Sequence, residues 1–439
     1  MRNLASAALF VLAVAVLAVY LPMLYQKLFY DQVEKTHMFF SPVTQRFITK
    51  EKIVGPIPPE ARAKAVDHHA EIAYRDEDGT WYTRKEFEKL LPFIYYKNME
   101  IWGLLPFHLQ GQEFDKAAIK KDRQVLELKS GEIADRRPQT RLWPLLVSNP
   151  GQARLVFPTD RFRMTDESME FINSDTNTVD KELSSLFTQV LKNKGFAFPA
   201  RSVNGKFTTL KPFDEGVFLV DSHYNVFHVK RRKKSPVVVK TPIDPELQTR
   251  YIKISENKGR EYYGLLLAGS GNLFLLTYDN YSLIPMPIEN YDPDRMDFKL
   301  IMNPLYRTAI WSDETTIRAV AMDSNYQVLD RHVHRMSRSS VTPMERIHNL
   351  LFPFSIHLEV GHSGFLNIFF QPGSLLSLFG LLVCLSGYVV WHRLRTKRLP
   401  ALGRLGLVAV TGLYGLIVLG FVESENSQLF WRIPCRQSL

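Results

Sequence analysis

The chain has 439 residues, of which 45% are hydrophobic and 23% are charged, so it has the composition of one large folded domain or two smaller ones and not of a disordered polymer. Its formal net charge of +10 is uneven, because residues 1–29 and 369–439 contain nine Lys and Arg against two Glu, which gives +7 and leaves +3 for the middle. Nucleic-acid binding needs concentrated positive charge, so a nearly balanced middle excludes nucleic acid as the expected partner.

The first predicted element is a membrane anchor at residues 1–29. Residues 4–25 form an uncharged stretch of 22 residues, and about 20 apolar residues are enough to cross the hydrocarbon core of a membrane. A cleaved signal peptide is the alternative interpretation. The uncleaved anchor is favoured because the stretch exceeds a usual signal-peptide core of roughly 7–15 residues and ends in bulky residues.

Residues 30–215 are predicted to form an α+β region. Residues 71–82 contain two short β-like runs around Asp78 and Gly79, a pair that suits a tight hairpin turn. Thr83 and Glu86 form a capping box at the start of a short helix. Residues 179–194 carry apolar side chains at helical spacing, so a longer helix with one packed face is expected there.

Residues 216–340 are predicted to form a region of repeated β-hairpins. Residues 217–229, 264–278 and 319–333 each place a turn between apolar runs, and the first and third share the pattern Asp-Ser-x-Tyr-x-Val, which begins at Asp221 and at Asp323. The turns lie 48 and 54 residues apart, close to the roughly 40–50 residues of a propeller blade. The expected fold is mainly β, propeller-like or a sandwich, with a few α-helices and three transmembrane α-helices.

The rest of the chain is predicted to return to the membrane. Residues 341–373 begin with a capped helix, and two uncharged stretches, residues 374–391 and 405–422, form a transmembrane hairpin within residues 374–422. The basic connection between them is cytoplasmic by the positive-inside rule, which puts the middle of the chain and a short tail at residues 423–439 outside. The residues that set this topology are Arg393, Arg395, Lys397, Arg398 and Arg404.

Glycines on the two hairpin helices form a predicted docking surface for another membrane subunit, because small residues let helices approach closely. The alternative is that glycine is simply common in membrane helices. The candidate docking residues are Gly380, Gly387, Gly406, Gly412 and Gly415. The spans have no ionisable residue in their interiors, so they are not expected to conduct ions by themselves.

Few residues suggest chemistry. His332 and His334 lie on one face of a predicted strand and are candidate ligands for copper or zinc, with an exposed strand end as the alternative. The basic run at residues 230–234 is interpreted as a solvated hairpin turn, with contact to an anionic surface as the alternative. The sequence contains no nucleophile elbow, phosphate-binding loop or zinc-protease motif, and Cys384 and Cys435, the two cysteines, lie outside the middle of the chain. No catalytic residue, metal or other cofactor is therefore predicted.

Residues 140–221 carry a resemblance to a known family. The segments concerned are TRLWPLLVSNPGQARLVFPTDRFRM, FTQVLKNKGFAFPA and TTLKPFDEGVFLVDS. They resemble an uncharacterised bacterial membrane family with a domain of unknown function that is associated with ABC transporter genes. The resemblance implies an envelope protein that works with a transporter, and it identifies no functional residue.

These features together predict a non-enzymatic, membrane-anchored accessory subunit of a bacterial envelope assembly, associated with an ABC transporter, with a large periplasmic binding or scaffold domain. The expected location is the bacterial inner membrane, with several spans and the bulk of the chain in the periplasm. The expected partners are the lipid bilayer and ABC-type permease or ATPase subunits. The alternative is an anchored, hydrolase-like enzyme of the envelope, which requires a deep polar cleft with acids or histidines of shifted pKa.

Overall fold

The structure, a computed structural model, describes residues 2–29, 35–54, 56–64, 72–133, 140–148, 151, 154–233, 235–337, 343–360 and 366–424. It divides into two compact units. Glu34–Ser339 form the first, which holds most of the strands and is called the β unit here. Met1–Val33 and Ser340–Leu439 together form the second, which is mainly helical and is called the helical unit.

Ten α-helices occur in the described residues, more than the few that were predicted. They are α1 (Arg2–Phe29), α2 (Pro59–Lys64), α3 (Arg84–Leu90), α4 (Tyr96–Ile101), α5 (Lys116–Asp122), α6 (Lys181–Asn193), α7 (Pro343–Leu351), α8 (Leu376–Thr396), α9 (Leu402–Thr411) and α10 (Leu413–Ser424). The first, and the last four, belong to the helical unit, and the other five lie in the β unit.

Two helices of the described residues are long and apolar enough to cross a membrane: α1, through Ala8–Phe29, and α8. The prediction of a third continuous span at residues 405–422 is wrong, because α9 ends and α10 begins on either side of Gly412. Gly412 has φ of +56° and ψ of −124°, a backbone conformation that is open mainly to glycine and does not continue an α-helix. Hydropathy cannot register this break, because a glycine leaves an apolar run as apolar as before.

The N-terminal helix packs against the other elements of the helical unit. Val14 of α1 lies in one apolar cluster with Phe352 and Tyr414. Further along α1, the Tyr25 hydroxyl donates a hydrogen bond of 3.1 Å to the carbonyl oxygen of Met344 in α7. The first helix is therefore part of a folded unit rather than an isolated apolar segment.

The β unit contains six antiparallel sheets in the described residues. The first sheet contains β1 (His37–Phe40), β2 (Phe47–Lys52), β3 (Ile72–Asp76) and β4 (Trp81–Tyr82). The second is the hairpin of β5 (Phe107–Leu109) and β6 (Gln112–Phe114). The third, which follows β7 (Gln124–Leu128) in the chain, contains β8 (Asp160–Met164), β9 (Met169–Asn173) and β10 (Thr178–Asp180). Two four-stranded sheets follow: β11 (Ser202–Gly205), β12 (Val217–Val220), β13 (Val226–Arg232) and β14 (Ser235–Lys240), and then β15 (Tyr251–Ile254), β16 (Tyr262–Leu267), β17 (Leu273–Thr277) and β18 (Leu283–Pro285). The last sheet contains β19 (Asp297–Met302), β20 (Arg307–Ser312), β21 (Thr316–Met322) and β22 (Val328–Arg335), and β7 pairs with β19 at its edge. The helical unit adds one hairpin, β23 (Phe354–Val360) and β24 (Leu366–Pro372).

The β-rich fold is confirmed, and the three predicted hairpins are present as β12–β13, β16–β17 and β21–β22. They belong to three different sheets, in each of which four strands follow one another in chain order. The described strands show no propeller closure, so the propeller-like alternative is corrected to a succession of meanders. A regular spacing of turns indicates only how long each meander is. Whether the sheets close into a propeller depends on how they pack on one another.

The two Asp-Ser-x-Tyr-x-Val segments form the same turn. Asp221 and Asp323 each accept hydrogen bonds on Oδ1 from the backbone N–H groups two and four residues later, at 2.8–2.9 Å. Tyr224 and Tyr326 occupy the left-handed region with φ of 64° and 63°. The shared pattern therefore reflects one turn geometry, in which the aspartate side chain satisfies the N–H groups of the loop.

Neighbouring sheets bury their apolar faces against each other. Successive residues of a strand point to opposite faces, and β16 uses this alternation to contribute to two cores. Leu266 lies in a cluster with Phe218 of β12, whereas Leu265 lies in a cluster with Phe298 of β19. A strand that is apolar on both faces is expected to be buried on both, and every residue of β16 is buried.

The predicted helix starts are confirmed where they lie in the described residues. Thr83 and Glu86 form the capping box of α3, with bonds of 3.2 Å and 2.8 Å between each side chain and the other backbone N–H. The helix expected at residues 179–194 is α6, which is capped by Asp180. The capped helix predicted at the start of residues 341–373 is α7, which begins at Pro343; the cap position before it lies outside the described residues.

Candidate functional site

An aromatic groove of about 960 Å³ lies in the β unit beside β3, β4 and helices α2, α3 and α4. Five half-buried aromatic side chains line it: Tyr74, Trp81, Tyr82, Tyr95 and Trp102. Half-exposed rings around a concave surface are typical of ligand sites, because stacking requires an accessible ring face. This cavity and the residues that line it are together called the aromatic groove below.

The register of the β3–β4 hairpin positions the first three rings. Tyr74 pairs with Tyr82 and Arg75 pairs with Trp81 across the two strands. The Arg75 guanidinium lies 5.1 Å from the centre of the Trp81 ring system and holds the indole by a cation–π contact. The hairpin turns at Gly79, whose φ of +94° is accessible to glycine without strain.

Helices α3 and α4 supply the remaining part of the lining. Trp102 is the C-cap of α4, and its backbone N–H donates to the carbonyl oxygen of Asn98 at 2.9 Å. Lys85, in the first turn of α3, places its ammonium group 5.3 Å from the centre of the Trp102 ring system. The capping box of α3 fixes where this turn begins, so the cap also fixes where Lys85 meets the indole.

The aromatic groove is positively charged. Its described lining contains four cationic residues, Lys50, Lys64, Arg84 and Lys85, and one carboxylate, Glu88. Glu88 is buried, and it accepts a hydrogen bond of 3.0 Å from Arg84 Nε and another from the Asn98 amide. The one described carboxylate is therefore engaged within the protein.

The pKa values of Tyr82 and Tyr95 in the aromatic groove are raised. Burial, together with the Asp76 carboxylate that accepts the Tyr82 hydroxyl at 2.7 Å, raises the pKa of Tyr82 to about 12. Burial and then the charge of Glu88 raise the pKa of Tyr95. Hydrolysis of a glycoside by the usual mechanism requires two carboxyl groups, and the described lining holds only Glu88. The described lining thus offers partly accessible aromatic rings and one carboxyl group that is already hydrogen-bonded.

A second polar cluster is buried away from the aromatic groove. Lys211 Nζ lies 2.7 Å from Asp214 Oδ1 and 2.5 Å from Glu256 Oε1, and all three side chains are at most 3% exposed. The other carboxylate oxygen of Glu256 has no hydrogen-bond partner among the described residues. Burial raises the pKa of Glu256, although Lys211 opposes this effect. The cluster ties the segment before β12 to the end of β15, which is a structural role.

His228 of β13 is also held in the interior. Its Nε2 lies 2.6 Å from the carbonyl oxygen of Glu215 and its Nδ1 lies 2.9 Å from the hydroxyl of Tyr281. The ring stacks on Phe218, with 4.2 Å between the ring centres. Burial lowers the pKa of His228 to about 3, so the imidazole is neutral at physiological pH. It donates from Nε2 to the carbonyl and accepts from the tyrosine.

The two candidate metal ligands each face a glutamate. His334 Nε2 lies 2.9 Å from Glu51 Oε2, and His332 Nδ1 lies 3.6 Å from Glu77 Oε2. Burial opposes ionisation of Glu51, but the bonds from His334 and Ser337 outweigh it and lower the pKa of this carboxyl. The described residues contain no group of three or more His, Cys, Asp or Glu arranged to hold a metal. His334 links β22 to β2, and His332 links β22 to Glu77, the residue directly after β3.

The basic run at residues 230–234 lies at the turn between β13 and β14, as predicted. Two of its side chains do not belong to a solvated turn: Lys230 pairs with Glu215, and Arg231 Nη1 lies 2.7 Å from Asp160 Oδ1. The last residue of the run lies outside the described residues. Two of the four described cations of this run are therefore paired with carboxylates of the fold.

The candidate docking glycines divide into two groups. A Cβ atom at Gly380, Gly412 or Gly415 would overlap an atom of the helical unit itself. At Gly380 that atom is the carbonyl oxygen of Leu350, only 1.8 Å from the added carbon. A Cβ atom at Gly387 or Gly406 would meet nothing within 4 Å, so these two glycines leave open surface on α8 and α9.

The five residues that were predicted to set the topology lie where α8 ends and α9 begins. Arg393 and Arg395 are in the last turn of α8, and Lys397 is its C-cap with φ of 55°. Arg398 lies in the connection, and Arg404 is in the first turn of α9. The basic charge is thus concentrated at one end of both helices, which is the pattern that the positive-inside rule uses.

The sequence patterns do not reveal the aromatic groove. Its lining comes from six separate elements between residues 50 and 102, so no single stretch carries it. The signal that was available is local: Trp81 and Tyr82 directly precede a capping box that contains Lys85. Large aromatic residues beside a turn and a basic first helical turn would be expected to stay partly exposed.

Residues 37–322 of the chain match the family model of a domain of unknown function, DUF4857, which is more than half of the chain. A comparison with curated proteins finds no match. Among solved structures, a protein of Bacteroides fragilis NCTC 9343 with the provisional description of an exported protein aligns with 54% of this chain and 80% of its own, at 8% identity and a TM-score of 0.15. A structural similarity of that size carries no argument about fold or function.

Proposed function

The chain belongs to the DUF4857 family, and we propose that it is a non-enzymatic, membrane-anchored accessory subunit of a bacterial envelope assembly that binds a ligand through the aromatic groove. The observation that carries this proposal is the groove itself. It presents five aromatic rings and four cations, two of which pair with Glu86 and Glu88, and its one described carboxylate is already hydrogen-bonded within the protein. Such a lining provides contacts for a ligand without an acid–base pair to react with it.

The apolar helices support a membrane anchor. α1 and α8 are long enough to cross a bilayer, and α8 exposes Leu378, Phe379, Leu382 and Val383, each by more than half of its surface. Lipid or a membrane partner is the natural cover for such a surface. The packing of Val14 and Tyr25 against the rest of the helical unit favours retention of α1 over its removal as a signal peptide.

The proposed orientation puts the β unit in the periplasm and the α8–α9 connection in the cytoplasm. Its support is the cluster of basic residues in this connection. A reporter enzyme that is active only in the cytoplasm, inserted between Lys397 and Ala401, is expected to be active. Activity of a periplasm-specific reporter at the same position would contradict this orientation, because the aromatic groove would then lie inside the cell.

The proposed partner is an ABC-type permease or ATPase subunit, as the family resemblance implies. The open surfaces at Gly387 of α8 and Gly406 of α9 support close helix contact with such a subunit. Affinity purification of the chain from gently solubilised membranes, followed by mass spectrometry, is expected to recover permease or ATPase subunits. Recovery of neither contradicts the proposed partner.

A matched pair of variants sharpens this experiment. Gly387→Leu fills the open surface of α8 and is expected to reduce recovery of the partner. Gly403→Leu adds the same side chain at a glycine that is equally open but belongs to the first turn of α9, beside the basic connection. Equal recovery with both variants would show that Gly387 does not contact the partner.

A further inference from the structure

We propose that the aromatic groove binds an acidic oligosaccharide, with sugar rings on the two tryptophans and the acidic groups on the lysines. This inference rests on the proposed function, because the ligand must be available outside the cell membrane. The volume of about 960 Å³ accommodates several sugar rings rather than a single small ion.

The two indoles provide the apolar surface. The C–H faces of a pyranose ring pack on the face of an aromatic ring, which carries negative π density. Trp81 and Trp102 both line the aromatic groove and are half-buried, so each keeps part of its ring accessible. Arg75 is not a lining residue, and its contact with Trp81 therefore holds this indole without occupying the lining.

The charges select an acidic ligand. Four cations and one carboxylate line the groove; Arg84 pairs with that carboxylate, Glu88, and Lys64 pairs at 3.3 Å with Glu86 outside the lining. Lys85 has no ion pair among the described residues, and its ammonium group lies 5.3 Å from the centre of the Trp102 ring system, so it is available to a carboxylate or sulfate on the sugar. A neutral ligand would leave this charge without a partner, and a cationic ligand would be repelled.

A polar group for a sugar hydroxyl is present beside the rings. The Asn98 side-chain amide donates to Glu88, and its carbonyl oxygen accepts no hydrogen bond from the described residues. This oxygen can accept from a sugar hydroxyl, and the Glu88 contact fixes the orientation of the amide. Single-stranded nucleic acid also stacks on aromatic rings in basic grooves. The exterior location and the nearly balanced charge of the middle of the chain favour the sugar.

The test uses the full chain in detergent and measures binding by isothermal titration calorimetry. The probes are an oligouronate, an uncharged oligohexose of the same length and a single-stranded oligodeoxynucleotide. The oligouronate is expected to bind most tightly. Trp102→Ala is expected to weaken this binding roughly tenfold, and Trp102→Phe, which keeps an aromatic ring, by less.

Two charge-matched double variants distinguish the groove from general attraction. Lys50→Ala with Lys85→Ala removes two cations from the lining, whereas Lys89→Ala with Lys97→Ala removes two exposed cations that lie outside it. Only the first pair is expected to abolish the preference for the acidic over the uncharged oligomer. Equal effects of both pairs, tighter binding of the oligodeoxynucleotide, or no binding of any sugar would each overturn the inference.

Failure here is separable from failure of the proposed function. Recovery of the transporter subunits depends on the helical unit, so it is expected to be unchanged in the Trp102 and lysine variants. Recovery of the partners without oligouronate binding would remove the sugar ligand and leave the accessory role. Binding of oligouronate without recovery of the partners would keep the sugar ligand and remove the accessory role.

Discussion

Replacement of Lys211 by Met is expected to destabilise the β unit strongly, because Lys211 is the only described cation that contacts two buried carboxylates in its cluster. Its ammonium group lies 2.7 Å from Asp214 and 2.5 Å from Glu256, and it donates a bond of 2.8 Å to the carbonyl oxygen of Lys206. The Lys211 side chain is 1% exposed. Methionine has a similar length and keeps the packing, so the substitution removes mainly the charge and its hydrogen bonds.

The magnitude follows from the burial of the partners. Removal of one member of a buried ion pair typically costs about 3–5 kcal/mol, because the remaining charge is left without compensation in a medium of low dielectric constant. The Glu256 side chain is 0% exposed, and one of its oxygens has no hydrogen-bond partner among the described residues even in the wild type. We therefore expect a loss of unfolding free energy of about 3–5 kcal/mol at neutral pH.

The loss is expected to depend on pH. Burial already raises the pKa of Glu256 above its ordinary value of 4.5, and removal of Lys211 raises it further. A carboxyl whose folded pKa exceeds its unfolded pKa binds more protons in the folded state between the two values. Its contribution to stability is thus fully present below the unfolded pKa and is lost as the pH rises through the folded pKa. Lys211→Met should accordingly cost less near pH 5 than near pH 8.

Urea titration of the detergent-solubilised chain, followed by tryptophan fluorescence, measures both effects; Trp311 is buried in the β unit. Lys258→Met is the matched control, because Lys258 is exposed and lies only two residues after Glu256. The control is expected to change the unfolding free energy by less than about 0.5 kcal/mol. The reasoning fails if Lys211→Met costs no more than the control, or if its cost is the same at both pH values.

Three further results are expected. Asp221→Ala should cost about 2–3 kcal/mol of unfolding free energy, and Asp323→Ala in the same but less buried turn should cost less, because only Asp221 is 0% exposed; equal losses in urea titrations would contradict this. Glu51→Gln should flatten the loss of thermal stability in acid, since the lowered pKa of Glu51 gives stability above the ordinary value of 4.5 that disappears as the pH falls through the folded pKa; an unchanged pH profile of the melting temperature would refute it. Gly216→Ala should cost at least about 1 kcal/mol, because φ is +72° and the added carbon would lie 2.2 Å from the Val229 carbonyl oxygen; a melting temperature equal to that of the wild type would show that this contact relaxes freely.

Patterns that act within a few residues predicted local structure well. The capping box at Thr83 and the Asp-Ser-x-Tyr-x-Val turns at Asp221 and Asp323 appear in the structure at the predicted positions. Each of these features is closed by atoms of the same short segment. The residue types alone therefore decide the geometry.

The third predicted span shows where such patterns fail. An apolar run at residues 405–422 satisfies the length and composition of a membrane helix. Gly412 nevertheless leaves the helix, and a Cβ atom there would lie 2.8 Å from a methyl group of Leu381 in α8. The contact with a neighbouring helix and the backbone angles of Gly412 break the predicted span, and hydropathy measures neither of them.

The sequence by itself determined the class of the protein: apolar ends, a thiol-free middle of nearly balanced charge, repeated hairpins and the starts of helices. Only the tertiary structure decided which sheets face each other, that His332 and His334 contact glutamates, and that Tyr74, Trp81 and Trp102 line one groove. The physical reason is range. Caps, turns and periodic burial are satisfied by residues a few positions apart, whereas a groove or an ion cluster joins side chains whose proximity depends on the packing of the whole unit.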